Sequence, residues 1–208
     1  MRRFVILAVS LLLGASGALL AQEPAPPPTP SKLYEAGQYE AAASQVQQRL
    51  EEGEVPPGDL FWAAQAMQRA GQAGEARALL ERLGGNEDDP WSAVRQSALA
   101  LLDGDADGAA RHATRATELA PDLFHAHYQL GRARHEAQQW PAAAAAFTRA
   151  AELDGNAAYA HYYAGVAYNR LKRIDPMATH FRRFLELAPS APEREQVEQL
   201  LKLLKGLR

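Results

Sequence analysis

Residues 124–157 read FHAHYQLGRARHEAQQWPAAAAAFTRAAELDGNA, and residues 158–191 read AYAHYYAGVAYNRLKRIDPMATHFRRFLELAPSA. Laid over one another at a shift of 34, they place His127 on His161, Tyr128 on Tyr162, Gly131 on Gly165, Phe147 on Phe181 and Leu153 on Leu187. A further step back puts Ala150 on Ala116, Leu153 on Leu119 and Gly155 on Pro121, and AGQY at 36–39 returns as AGQA at 70–73, the same shift again. A fixed period of this length marks a stack of supersecondary units, in which each unit buries its apolar face only against its neighbours.

Each unit reads as two amphipathic helices. Leu60, Ala63, Ala64 and Met67 fall at i, i+3, i+4, i+7, and His161, Ala164, Gly165 and Tyr168 repeat that spacing, which lines up one helical face. Turns follow at Gly71-Gln72, Gly104-Asp105, Gln138-Gln139 and Lys172-Arg173, then second helices with small residues at Ala42, Ala76, Ala109 and Ala143. Small residues let helices approach closely, while Phe147 and Phe181 fill the adjoining space. Stops come at Leu119-Ala120-Pro121 and Leu187-Ala188-Pro189.

Gly131 and Gly165, Phe147 and Phe181, Ala109 and Ala143, and Pro121 and Pro189 together resemble the signature of the tetratricopeptide-repeat (TPR) family. The likeness is good over 124–189, adequate over 59–121 and partial over 31–53, where prolines leave room for a truncated first helix. Arg134 and Met177 depart from the pattern, and a spacing of 33 between Gly71 and Gly104 leaves the register of the helix over 91–102 open by one residue. The expected fold is all-α: a partial first repeat over 32–56, about four helix pairs through 190, and a capping helix over 191–208. The cap carries Val197, Leu200, Leu201 and Leu204 on one face, which covers the apolar side of the last repeat. The resemblance implies a right-handed superhelix with a concave inner face.

In that family the first helix of each pair lines the concave groove. Here this face carries Phe61, Gln65 and Arg69, then Tyr128, Arg132 and His135, then Tyr159, Tyr162 and Asn169, with Arg95 joining in either register. Aromatic rings among Arg and His suit an extended peptide or a carboxylate-bearing segment. Replacing Tyr128, Arg132 and Tyr162 together is expected to abolish capture and leave the fold intact. Phe61 and Gln65 stand where the lysine and asparagine of the chaperone-binding carboxylate clamp would be, which argues against chaperone tails as partners.

The N-terminus reads as an export signal. Met1-Arg2-Arg3 precedes an apolar run from Phe4 to Leu13 and small residues to Ala18. Cleavage after Ala18 or Ala21 both fit, with Ala21 preferred; the 18 uncharged residues from Phe4 to Ala21 also reach the lower limit for a membrane anchor. With no cysteine anywhere, the chain is neither a lipoprotein nor a disulfide scaffold. Residues 22–31 hold five prolines and read as an extended tether or, alternatively, a polyproline ligand. The expected location is periplasmic or secreted.

Loss of Arg2 and Arg3 moves the formal net charge from −3 to −5, which offers nucleic acid no general attraction. The six histidines form no HExxH, no glycine-rich loop follows a strand, and no serine sits at a nucleophile elbow. His127 and His161 share a core-facing repeat position. No enzyme activity, metal or cofactor is expected. The reading is a protein-binding scaffold of the bacterial cell envelope; the alternatives are self-association through the N-terminal partial repeat and, less well supported, a small-ligand or metal binder.

Overall fold

The computed structural model describes residues 26–206. The signal segment expected over 1–21 and residues 22–25 of the tether lie outside the described residues. Those described form eleven helices and no strand. They are α1 (Pro30–Glu35), α2 (Tyr39–Glu52), α3 (Pro57–Arg69), α4 (Ala73–Glu81), α5 (Pro90–Leu102), α6 (Ala106–Leu119), α7 (Phe124–Glu136), α8 (Trp140–Leu153), α9 (Ala158–Arg170), α10 (Ile174–Leu187) and α11 (Arg194–Gly206). Consecutive helices pack antiparallel in pairs, giving an all-α superhelical solenoid in which odd-numbered helices form the inner layer and even-numbered helices the outer one. The first inner helix is the truncated one. It begins at Pro30, inside the stretch assigned to the tether, where Thr29 accepts from the Lys32 N–H at its N-terminus and proline suits the first helical position.

The period has a direct structural meaning. Helices α3, α5, α7 and α9 are each 13 residues long, and their eighth positions are Ala64, Ser97, Gly131 and Gly165. A Cβ on Gly131 would stand 2.6 Å from Phe147 Cδ1, and one on Gly165 equally close to Phe181 Cδ1. The phenyl rings therefore press on bare helix backbone, and the matching of Gly131 to Phe147 and of Gly165 to Phe181 is a packing requirement. Ser97 fills the same place in α5: it is fully buried and its hydroxyl donates to the Ala109 carbonyl at 2.8 Å. That settles the register left open by the spacing of 33. The missing residue lies in the junction after α4, which has nine residues where the other outer helices have 14. There Gly84 takes φ +81°, and a Cβ on it would meet the Ser92 backbone nitrogen at 2.4 Å. Asp89 then caps α5 by accepting from the Trp91 N–H at 2.9 Å.

The main hydrophobic core runs without a break from Leu33 to Val197. The reason is closure. Helix α1 lies against the beginning of α9: the Tyr34 and Tyr159 rings sit 4.8 Å apart, and the Ala158 N–H donates to Glu35 Oε1 at 3.0 Å across 123 residues of sequence. The capping helix α11 is held less tightly. Val197 is buried, Leu200 and Leu201 are half-buried, and Leu203 is 67% exposed.

Candidate partner-binding site

The inner helices bring their aromatic residues to the inside of the curve, where they meet each other instead of solvent. Trp62 lies 5.0 Å from Tyr34 and 5.3 Å from Tyr128, and Tyr128 stacks on Phe124 at 5.6 Å. Phe61, Gln65, Tyr128 and Tyr159 are consequently no more than 2% exposed. The exposure expected of these four is corrected: a curve tight enough to bring the first repeat onto the last leaves no open channel at their level, and burial of large rings is more favourable than keeping them wet. Substituting Tyr128 thus probes the core and cannot serve as a test of capture.

The remaining candidates divide. Arg132 is half-buried and donates to Gln68 Oε1 at 3.1 Å. Arg95 donates to the Leu83 carbonyl at 2.9 Å, a bond that ties α5 to the loop before it and accounts for the arginine without a partner. Arg69, the last residue of α3, stands over three rings, with its guanidinium carbon 5.7 Å from the Tyr34 centroid, 5.5 Å from Tyr39 and 5.2 Å from Tyr159. It is ion-paired with Glu193, whose carboxylate also accepts from the Tyr159 hydroxyl at 2.5 Å.

His135, Tyr162 and Asn169 do come together. They line a cleft of about 480 Å³ between α9 and α11, with Tyr163, Arg170 and Gln196 beside them and Val166, Phe181, Val197 and Leu200 forming apolar walls. Burial pushes the Tyr162 hydroxyl up to about 12, so it is a neutral donor at physiological pH. Burial also lowers the His135 imidazole, against the opposing pull of Glu136. The arrangement offers ring faces, an amide, a guanidinium and an imidazole around an apolar slot, a set suited to an extended polypeptide. Among the described residues no cluster of three or more His, Asp or Glu is placed to hold a metal ion.

The sequence reading missed Tyr34, Tyr39, Arg170, Gln196 and Glu193. Arg170 was within reach, being next to Asn169 and four residues beyond Val166 on one helical face. Glu193 had no local signal, because its partners Arg69 and Tyr159 lie 124 and 34 residues away.

Residues 159–191 match the family model for the tetratricopeptide repeat. The chain carries a tetratricopeptide repeat over these residues. Its fold is similar to that of a thermophilic TPR protein from Thermus thermophilus, with a TM-score of 0.60 at 19% identity over 83% of this chain and 95% of that one. It is similar also to the TPR domain of Arabidopsis OM64 (TM-score 0.52, 21% identity, 54% of this chain and 93% of that one). YrrB, described as a TPR protein with an unusual peptide-binding site, superposes with a TM-score of 0.51 at 18% identity over 82% of this chain and 88% of that one. At these identities the likeness to each solved structure is one of fold. No curated protein matches the chain in sequence.

Proposed function

We propose that the protein is a non-catalytic scaffold of the bacterial cell envelope, exported by its N-terminal segment, that holds an extended segment of a partner protein in the cleft between α9 and α11. The observation that carries the reading is the cleft itself: three side chains picked from the repeat pattern as partner contacts, His135, Tyr162 and Asn169, share one opening with Arg170 and Gln196. A TPR solenoid supplies the rigid frame for such a slot, and its neighbour YrrB carries a peptide-binding site by description.

Asn169, Arg170 and Gln196 are exposed, so the combined change Asn169→Ala, Arg170→Glu, Gln196→Ala alters the rim and leaves the core alone. Capture of a partner from envelope extract by the tagged protein is expected to fall at least tenfold, with an unchanged melting temperature. Equal capture by the variant would reject the cleft.

Self-association is the second reading, and the residues that favour it are at the C-terminal end. Leu33, Tyr34 and Val46 of the N-terminal unit are already buried, whereas Ile174 and Leu203 are exposed beside a groove of about 420 Å³ between α10 and α11. A concentration-dependent dimer in light scattering that is lost in Leu203→Glu would support it.

A further inference from the structure

Glu193 sits immediately before α11, where its carbonyl accepts the helix's first bond, from the Val197 N–H at 3.1 Å. Its side chain points away from that helix. It reaches across to the inner face, pairs with Arg69 and accepts from Tyr159, and its side chain is left only 10% exposed. The chain leading to it is seated too: Ala188 and Ala191 are buried, and Pro192 packs so close to the Gly37 turn that a Cβ there would stand 2.9 Å from its Cγ. The Ala-Pro-Ser-Ala-Pro-Glu stretch is folded into two successive turns, with the Ala191 N–H donating to the Ala188 carbonyl at 3.2 Å and the Arg194 N–H to the Ala191 carbonyl at 3.1 Å, and these turns aim its carboxylate at a guanidinium that stands over three tyrosine rings.

We propose that Glu193 is a built-in stand-in for the partner: Arg69 and Tyr159 form a subsite for an acidic side chain of a partner protein segment, and in the free protein Glu193 occupies it. The inference rests on the cleft between α9 and α11 being the binding site, and it adds the chemistry of the segment and the regulation of access. The two places are continuous. Tyr159, which holds Glu193, has its ring 5.7 Å from that of Tyr162, which lines the cleft. Release of Glu193 frees the start of α11, the wall of that cleft opposite α9. The charge is complementary as well, since a chain of formal net charge −3 places Arg69, Arg132 and Arg170 along this side. A carboxylate with a fixed guanidinium and a buried phenol as partners makes charge-assisted hydrogen bonds stronger than neutral ones. A tethered carboxylate competes at an effective concentration of about millimolar. If the latch is closed in ~90–99% of molecules, its removal raises apparent affinity roughly ten- to hundredfold.

The test uses a fluorescent, acetylated and amidated peptide APSAPER, copied from residues 188–194 and carrying one carboxylate, with APSAPQR as its neutral control. Anisotropy is measured on the full chain, on Glu193→Ala, on the milder Glu193→Gln, and on Arg69→Gln combined with Glu193→Ala; circular dichroism and melting establish that each is folded. Expected are weak binding to the unaltered protein, at least tenfold tighter binding to folded Glu193→Ala, an intermediate gain for Glu193→Gln, and loss of the gain in the double variant and with the neutral peptide. Tightening that is equal for both peptides, or absent in both single variants, overturns the latch. Capture through the Asn169, Arg170 and Gln196 rim is scored on its own, so a false latch on a true cleft gives unimproved peptide binding with rim-dependent capture intact.

Discussion

His125 is buried among aromatic rings with no polar partner. Its ring lies 4.6 Å from that of Trp91 and 5.1 Å from those of Phe61 and Phe124, and neither ring nitrogen has a hydrogen-bond partner. Burial alone lowers its pKa to about 4 from 6.5. Between those values the unfolded chain binds a proton that the folded chain does not. Stability from this group is therefore full above pH 6.5 and falls as pH drops toward 4, by at most about 1.4 kcal/mol per unit. His125→Phe, which replaces an unpaired polar ring with an apolar one of similar shape, is expected to be neutral or stabilising at pH 7. It should also remove close to one proton from the pH dependence of the urea midpoint between pH 7 and 5; an unchanged slope would show that the acid sensitivity originates elsewhere. His161 and His180, Nδ1 to Nδ1 at 3.1 Å, are both lowered chiefly by burial and act in the same direction, as does His135.

At the scale of elements, the turn between the two helices of each pair recurs at Gly37, Gly71, Gly104, Gln138 and Lys172, all with positive φ. The first three have the residue this conformation favours, while Gln138 and Lys172 hold it at φ 55° and 58° with a Cβ that the left-handed region disfavours. Lys172 is exposed, and its glycine variant relieves that strain against a modest gain in unfolded-state entropy. Lys172→Gly is expected to stabilise by about 0.5–1 kcal/mol in chemical denaturation. A loss of stability there would mean that the lysine makes a contact worth more than the strain. The same position shows how the pairs were legible: Gly71 and Gly104 punctuate the sequence where an inner helix must reverse into an outer one. The short α4 was not legible, because an amphipathic stretch does not announce where packing will end it.

For the whole molecule, the decisive link is between the first repeat and the fifth. Glu35 is 6% exposed and serves both Lys32, at 2.6 Å, and the Ala158 N–H at the start of α9. Burial raises its pKa in spite of these partners, so the bond acceptor matters more to closure than the charge. Glu35→Gln is expected to melt within a few degrees of the unaltered protein. Glu35→Ala leaves a buried N–H unpaired and should cost about 1–3 kcal/mol, with hydrogen exchange accelerating at 30–36 and at 157–160. Equal effects of the two substitutions would instead assign the stability to the ion pair. Closure of this kind also explains the fate of the candidate residues. His135, Tyr162 and Asn169 line one opening, whereas Phe61, Gln65 and Tyr159 are buried in the free protein among the inner-layer rings.

What the sequence determined by itself is local and periodic: inner and outer helices in alternation, a small residue opposite a phenylalanine, a reversal once in every repeat and a terminal amphipathic helix. These follow from contacts within a unit and between adjacent units, which a repeating pattern encodes directly. Only the tertiary structure decided how far the array curves. Curvature accumulates from small rotations between units that no single residue records. From that curvature follow the meeting of α1 with α9, the burial of Phe61, Tyr128 and Tyr159, and the placement of Glu193 on Arg69.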